Sequence, residues 1–165
     1  MLQVLRRVGK GETFASSLAA LEKIRAAGLK SSVMILHGLG GRALSAQHAE
    51  RSAALVSAAP PDYLSTLVVS FPLGVERHAA GFADLAGGFQ QLSPVEILAE
   101  QRALLQAIDM PAARRGTGTI FRSDHASNYL PLRGTLPRDQ GRLVEELSAA
   151  QAGQRRLRPE WARGL

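Results

Sequence analysis

Three short apolar runs, spaced by helix-sized connections, constrain the fold of this 165-residue chain more than any other feature. SSVMILH (31–37) is mostly apolar on both faces and is followed at once by GLGG, the pattern of a buried strand in a parallel sheet. YLSTLVVSF (63–71) is β-rich in composition and closes on Pro72. GTIFRS (118–123) makes a third short strand. Strands separated in this way imply parallel βαβ units with right-handed crossovers. The predicted class is α/β. Three strands form a thin sheet whose edges need neighbours, so the chain reads as a partial (β/α) barrel of parallel strands.

The connections carry helical signals. Phe14, Leu18, Leu21 and Ile24 share one face over 13–27, with Thr13 placed to cap the start and Gly28 just past the end. A second helix begins near Ser45 and stops at Pro60-Pro61. In Ser93-Pro94-Val95-Glu96 the serine caps a third helix, proline fills its first turn, and the glutamate sits where it can bond back to the cap. Val95, Leu98, Leu105 and Ile108 continue that face to Met110-Pro111. A last helix covers 139–151. The Gly-rich stretch 74–92 predicts a long loop with one helical turn, and 123–137 has too many turn formers for regular structure. The resulting division is 1–137 for the barrel portion and 138–165 for a C-terminal helix and basic tail.

The chain contains no cysteine, which removes disulfides, thiolate zinc sites, cysteine nucleophiles and cysteine-held clusters from its own repertoire. MLQVLRRVGKGETF lacks the apolar core of a signal peptide, and no run of 18 apolar residues occurs, so the expectation is a soluble cytoplasmic protein without membrane contact. The net charge of +6 is uneven: residues 111–165 hold ten arginines against five acids, a surplus of five. Such a surplus either attracts phosphate-bearing partners, nucleic acid included, or forms a solvated basic tail.

Two segments could carry chemistry. The glycines of Val33-Met34-Ile35-Leu36-His37-Gly38-Leu39-Gly40-Gly41-Arg42 follow a parallel strand directly, where backbone N–H groups can approach a ligand. They complete neither a phosphate-binding loop nor a dinucleotide fingerprint, so a ligand loop and a tight structural turn both stand. Phe121 to Leu132 gathers Arg122, Asp124, His125, Ser127 and Asn128 after a strand. Neither a metal motif nor a nucleophile elbow is present there, and hydrogen bonding to the loop's own backbone is the competing role. His37 ends its strand and is placed to point at a pocket mouth. His48 reads as a surface residue, and His78 falls in the long loop.

Read together, ILHGLGGR, LSPVEILAEQRALL, FRSDHASNYLPLRGTLPRD and RLRPEWARGL resemble the C-terminal half of radical S-adenosylmethionine (SAM) enzymes, the third segment being the specific part. One subgroup usually has Asn where this chain has Asp124. The resemblance implies the C-terminal half of a TIM-like barrel. It also implies SAM and a [4Fe–4S] cluster as cofactors, with reductive cleavage giving a 5′-deoxyadenosyl radical. By position it places Leu36, Gly38, Gly40, Gly41, Val69, Ser70 and Phe71 beside SAM, and Arg122, Asp124, His125 and Asn128 on a substrate-side loop. No catalytic residue and no metal ligand is assigned. The family's C-x3-C-x2-C motif is absent, so the cluster would be held elsewhere and this chain alone would be inactive. The implied partners are SAM and the missing N-terminal half of the barrel, or a second copy through the open edge. A nucleotide- or phosphate-binding module built on GLGG, and an RNA-associated protein working through its arginines, are the alternatives.

Overall fold

The apolar runs form three parallel strands, and a fourth strand joins them antiparallel. A computed structural model of the chain describes residues 2–110 and 118–163. In order, its elements are α1 (Leu2–Arg7), α2 (Phe14–Ala26), β1 (Ser32–His37), α3 (Gly41–Ala58), β2 (Tyr63–Val68), α4 (Glu76–Ala80), α5 (Pro94–Ala107), β3 (Thr119–Ser123), β4 (Leu132–Leu136), α6 (Gln140–Gln151) and a 3-10 turn at Glu160–Ala162. The sheet order is β1-β2-β3-β4. β1 pairs with β2 from Ser32↔Tyr63 to His37↔Val68, whereas β2 meets β3 only from Tyr63↔Ile120 to Ser65↔Arg122. β4 runs back along β3 from Ser123↔Leu132 to Thr119↔Leu136. The fold is therefore mixed α/β with a mostly parallel, open sheet.

Local signals explain most boundaries. Thr13 accepts a hydrogen bond from the Ser16 N–H, and Gly28 follows α2 at φ +69°. Ser93 and Glu96 form the capping box that the sequence announces, with Pro94 in the first turn of α5. Two expectations are corrected. α3 starts at Gly41 rather than near Ser45, because the glycine turn leads straight into it: the Gly41 N–H donates to the Gly38 carbonyl at 3.1 Å. Residues 123–137 are not wholly irregular, since Leu132–Leu136 is a strand. Pro131, Gly134 and Pro137 signal turns in sequence, yet they sit on and around an edge strand, where both residue types are tolerated. A Cβ on Gly134 would lie 3.1 Å from Leu143 Cδ1, so the glycine also lets α6 approach the strand.

The core lies on one side of the sheet. Ile35, Leu64, Phe121, Leu132 and Leu136 pack there with Ala53 and Val56 of α3, Leu98, Leu104 and Leu105 of α5, and Leu143 and Leu147 of α6. α5 packs between α3 and α6. The alternate strand residues Met34, Tyr63, Arg122 and Arg133 are exposed, so the opposite face is not lined by these helices. A second apolar cluster joins Val4 of α1, Leu44 of α3 and Phe82 near the carboxyl end of β1. Among the described residues, no helix is long and apolar enough to cross a membrane.

Candidate functional site

A cleft of about 460 Å³ opens at the carboxyl ends of β1 and β2. Gly38 forms part of its floor at φ +82°, a conformation that costs glycine little. A Cβ there would stand 3.0 Å from Ile97 Cδ1 and 3.3 Å from Val69 Cγ1, so its absence lets the backbone lie against the cleft. Val68 through Pro72 form one wall, Gln91, Leu92 and Ile97 a second, and Tyr129, Glu160 and Arg163 a third. The size and the mixed polar and apolar lining suit a nucleoside-sized ligand.

Beneath Gly38 sits a buried polar network. Glu100, on α5 one turn beyond Ile97, is only 2% exposed. Its Oε1 accepts from the Gly38 N–H at 3.0 Å and from His37 Nδ1 at 3.2 Å, and its Oε2 accepts from Ser45 Oγ at 2.5 Å. Burial pushes the Glu100 carboxyl upward, but the hydrogen bond and charge of His37, with Ser45 and His48, outweigh it and hold the group below its usual range. One carboxylate thus ties together the end of β1, the glycine turn and the start of α3. The expected direction of His37, toward a pocket mouth, is corrected: its side chain is buried against Glu100. His48 is corrected too. It is 4% exposed, its Nε2 donates to the Leu36 carbonyl at 2.9 Å, and burial lowers its pKa.

The loop after β3 is held by side chains that stand in for a ladder. Pairing between β2 and β3 ends at Ser65↔Arg122, and beyond it the edge of β2 still needs partners. Ser127 Oγ accepts from the Val68 N–H at 3.2 Å, and Asn128 Nδ2 donates to the Thr66 carbonyl at 2.8 Å. The C-terminal segment then folds over this loop. Arg158 donates to the carbonyls of His125, Ala126 and Asn128, each at 2.9 Å, and Arg163 Nε donates to the Ser127 carbonyl at 2.9 Å. Arg163 also lies over the Tyr129 ring, 3.9 Å from its centroid.

The sequence-predicted residues divide clearly. Gly38, Val69, Ser70 and Phe71 meet in the cleft. Leu36 instead lines a smaller hollow of about 160 Å³ beside β1, with Leu5, Val8, Met34 and Leu39. Gly40 backs onto Val4 and Leu44, and Gly41 onto the Phe89 ring, so both are close-packing glycines behind the cleft. Asp124 pairs with Arg133 at 2.5 Å, His125 Nδ1 accepts from the Ser127 N–H at 3.1 Å, Asn128 is buried, and Arg122 is exposed on the sheet. Gln91, Leu92, Ile97, Tyr129, Glu160 and Arg163 are cleft residues that periodicity and spacing did not single out. The sequence signal for the last two is the segment RLRPEWARGL, which enters the resemblance as a whole without either residue being given a role.

Most of the basic surplus is internally engaged. Arg133, Arg138, Arg142, Arg155 and Arg163 each pair with an acid, and Arg158 binds loop carbonyls. Arg114 and Arg115 lie outside the described residues. Among the described residues no group of His, Asp and Glu is arranged to hold a metal ion. Comparisons with protein families, with curated proteins and with solved structures find no match to this chain.

Proposed function

We propose that this chain is the nucleoside-binding half of a radical SAM barrel, with its cleft receiving the adenosyl part of SAM. The observation that carries the reading is the meeting of Gly38 with Val69–Phe71 in one cleft at the ends of adjacent parallel strands. Ligands of parallel α/β folds gather at that end. Helices gathered on one face of an open sheet are also what half a barrel requires, the other half continuing from the edge strand β1. The cleft fits the nucleoside because Gly38 presents backbone rather than a side chain to it.

The chain does not fit the iron–sulfur cluster. It has no cysteine, so the thiolates would come from another polypeptide segment. With such a cluster giving it one electron, SAM would break into methionine and a 5′-deoxyadenosyl radical. The residues here have a narrower part: they bind and orient the nucleoside and exclude water around it. Isolated, the chain is inactive and its exposed sheet edge invites the complementary half or a second copy. The phosphate-module reading is weakened by the Glu160 carboxylate in the cleft wall, and the RNA reading by the ion pairing of the arginines.

Ligand-observed NMR with SAM, 5′-methylthioadenosine and ATP tests the proposal. The first two are expected to bind at about millimolar affinity, within a few-fold of each other, because the amino-acid end of SAM is not gripped here. Preference for ATP would favour the phosphate module and overturn the reading.

A further inference from the structure

The C-terminal segment brings a carboxylate to a cleft that otherwise offers neutral groups and a shielded cation. We propose that Glu160 determines ligand specificity: it accepts hydrogen bonds from the two hydroxyls of a ribose and turns away nucleosides that carry phosphate. The inference rests on the nucleoside reading of the cleft and deepens it by defining the class of nucleoside admitted.

Glu160 is clamped but not used up. Its Oε1 accepts from the Tyr129 hydroxyl at 2.7 Å, and its Oε2 accepts from Arg163 at 2.6 Å. A carboxylate offers about four acceptor positions, so each oxygen keeps one for a further donor. The side chain is 65% exposed and lines the cleft, so those positions are open to a ligand there. A vicinal diol supplies two donors at matching separation, the pairing by which an acidic side chain commonly reads a ribose.

The charge seen by the ligand is negative, although Arg163 is adjacent. The Arg163 side chain is only 4% exposed; its guanidinium covers the Tyr129 ring and is occupied by the Ser127 carbonyl, the Tyr129 hydroxyl and Glu160 itself. The cation is thus turned inward and holds the carboxylate in place. A phosphate on the bound nucleoside would lie well within a Debye length of about 8 Å from this anion, so salt screens their repulsion only in part. The hydrogen bond from Tyr129, with the charge and hydrogen bond of Arg163, keeps the Glu160 carboxyl below its ordinary range, so the charge persists at neutral pH.

The test is protein-observed NMR titration of the full chain with adenosine, 2′,3′-dideoxyadenosine and AMP, for the wild type and for Glu160→Gln. The wild type is expected to prefer adenosine by about tenfold over each of the others, the scale of a hydrogen bond to a charged group. In Glu160→Gln the adenosine preference should fall to about twofold and AMP binding should rise about tenfold. The backbone amide shifts of Ser127 to Tyr129 and of Arg158, where the tail is bonded to the loop, report in the same titration whether the variant keeps its tail docked. Unchanged ratios in a docked Glu160→Gln protein would overturn the assignment. If the variant undocks, the wild type decides: equal binding of adenosine and its dideoxy form overturns the assignment, and a tenfold preference supports it. Absence of binding by any of the three ligands would instead refute the nucleoside reading of the cleft, and this inference with it.

Discussion

Glu100 is an acid enclosed between a helix and a sheet, and its neighbours explain why it is there. Replacing it by leucine strips acceptors from Gly38, His37 and Ser45 at once, and should cost about 3–5 kcal/mol in urea unfolding. Glu100→Gln keeps one acceptor and should cost less. Two buried groups contribute to the acid limb of stability, beside the exposed carboxylates such as Glu96 and Asp139 that arginines hold at about 2. The buried His48 titrates below its ordinary 6.5, so the unfolded chain takes up a proton that the folded chain refuses, and stability falls as pH drops below about 6.5. Glu100 sits below its ordinary 4.5, so its contribution is full above that pH and is lost as pH falls through the folded value. Urea midpoints across pH should therefore decline in two stages. His48→Gln should lessen the first, to which His78 also contributes, and Glu100→Gln the second; a flat profile between pH 6.5 and 4.5 in the wild type would contradict the burial of His48. None of this was legible in the sequence. A histidine on an Ala-rich helix looks like surface, and only the packing of α3 against α5 brings Glu100 near it.

At the scale of elements, legibility tracks whether the cause is local. The capping box at Ser93 and Glu96 is a local device, and it reads directly from four residues. Ser93→Ala should lower stability by about 1 kcal/mol, measurable by thermal or urea unfolding, and a change near zero would mean the cap is idle. β1, β2 and β3 were readable because burial demands apolar runs. β4 was not, because its residues are a strand only through pairing with β3, and its glycine and flanking prolines advertise turns. The docked tail was hidden for a similar reason. Its anchors are arginines that bind loop carbonyls and the Tyr129 ring, and in sequence those same arginines look like solvated charge. The cleft was half legible: the glycine turn and the end of β2 stand next to strands in the sequence, whereas the third wall arrives from the C-terminal segment.

Among the described residues the sheet has one helix-covered face and two edge strands, β4 and the more apolar β1. Met34 on β1 is 63% exposed, Tyr63 on β2 39%, and Leu29 just before β1 65%. β1 pairs with a strand on one side only, although His48 takes its Leu36 carbonyl, and such an edge next to these side chains is a template for another strand. The isolated chain should therefore self-associate at micromolar to millimolar concentration, and Met34→Lys should shift it toward monomer in sedimentation equilibrium; a wild type that stays monomeric throughout would argue that the edge is already satisfied. The central claim concerns the cleft, and residue-resolved chemical-shift mapping during a SAM titration tests it most directly. The account predicts that the backbone amides of Gly38, Ser70, Phe71 and Gln91 move together, saturate near millimolar ligand, and stay still in Gly38→Val. Shifts gathered around Leu36 and Met34 beside β1, or no shifts at all, would contradict it.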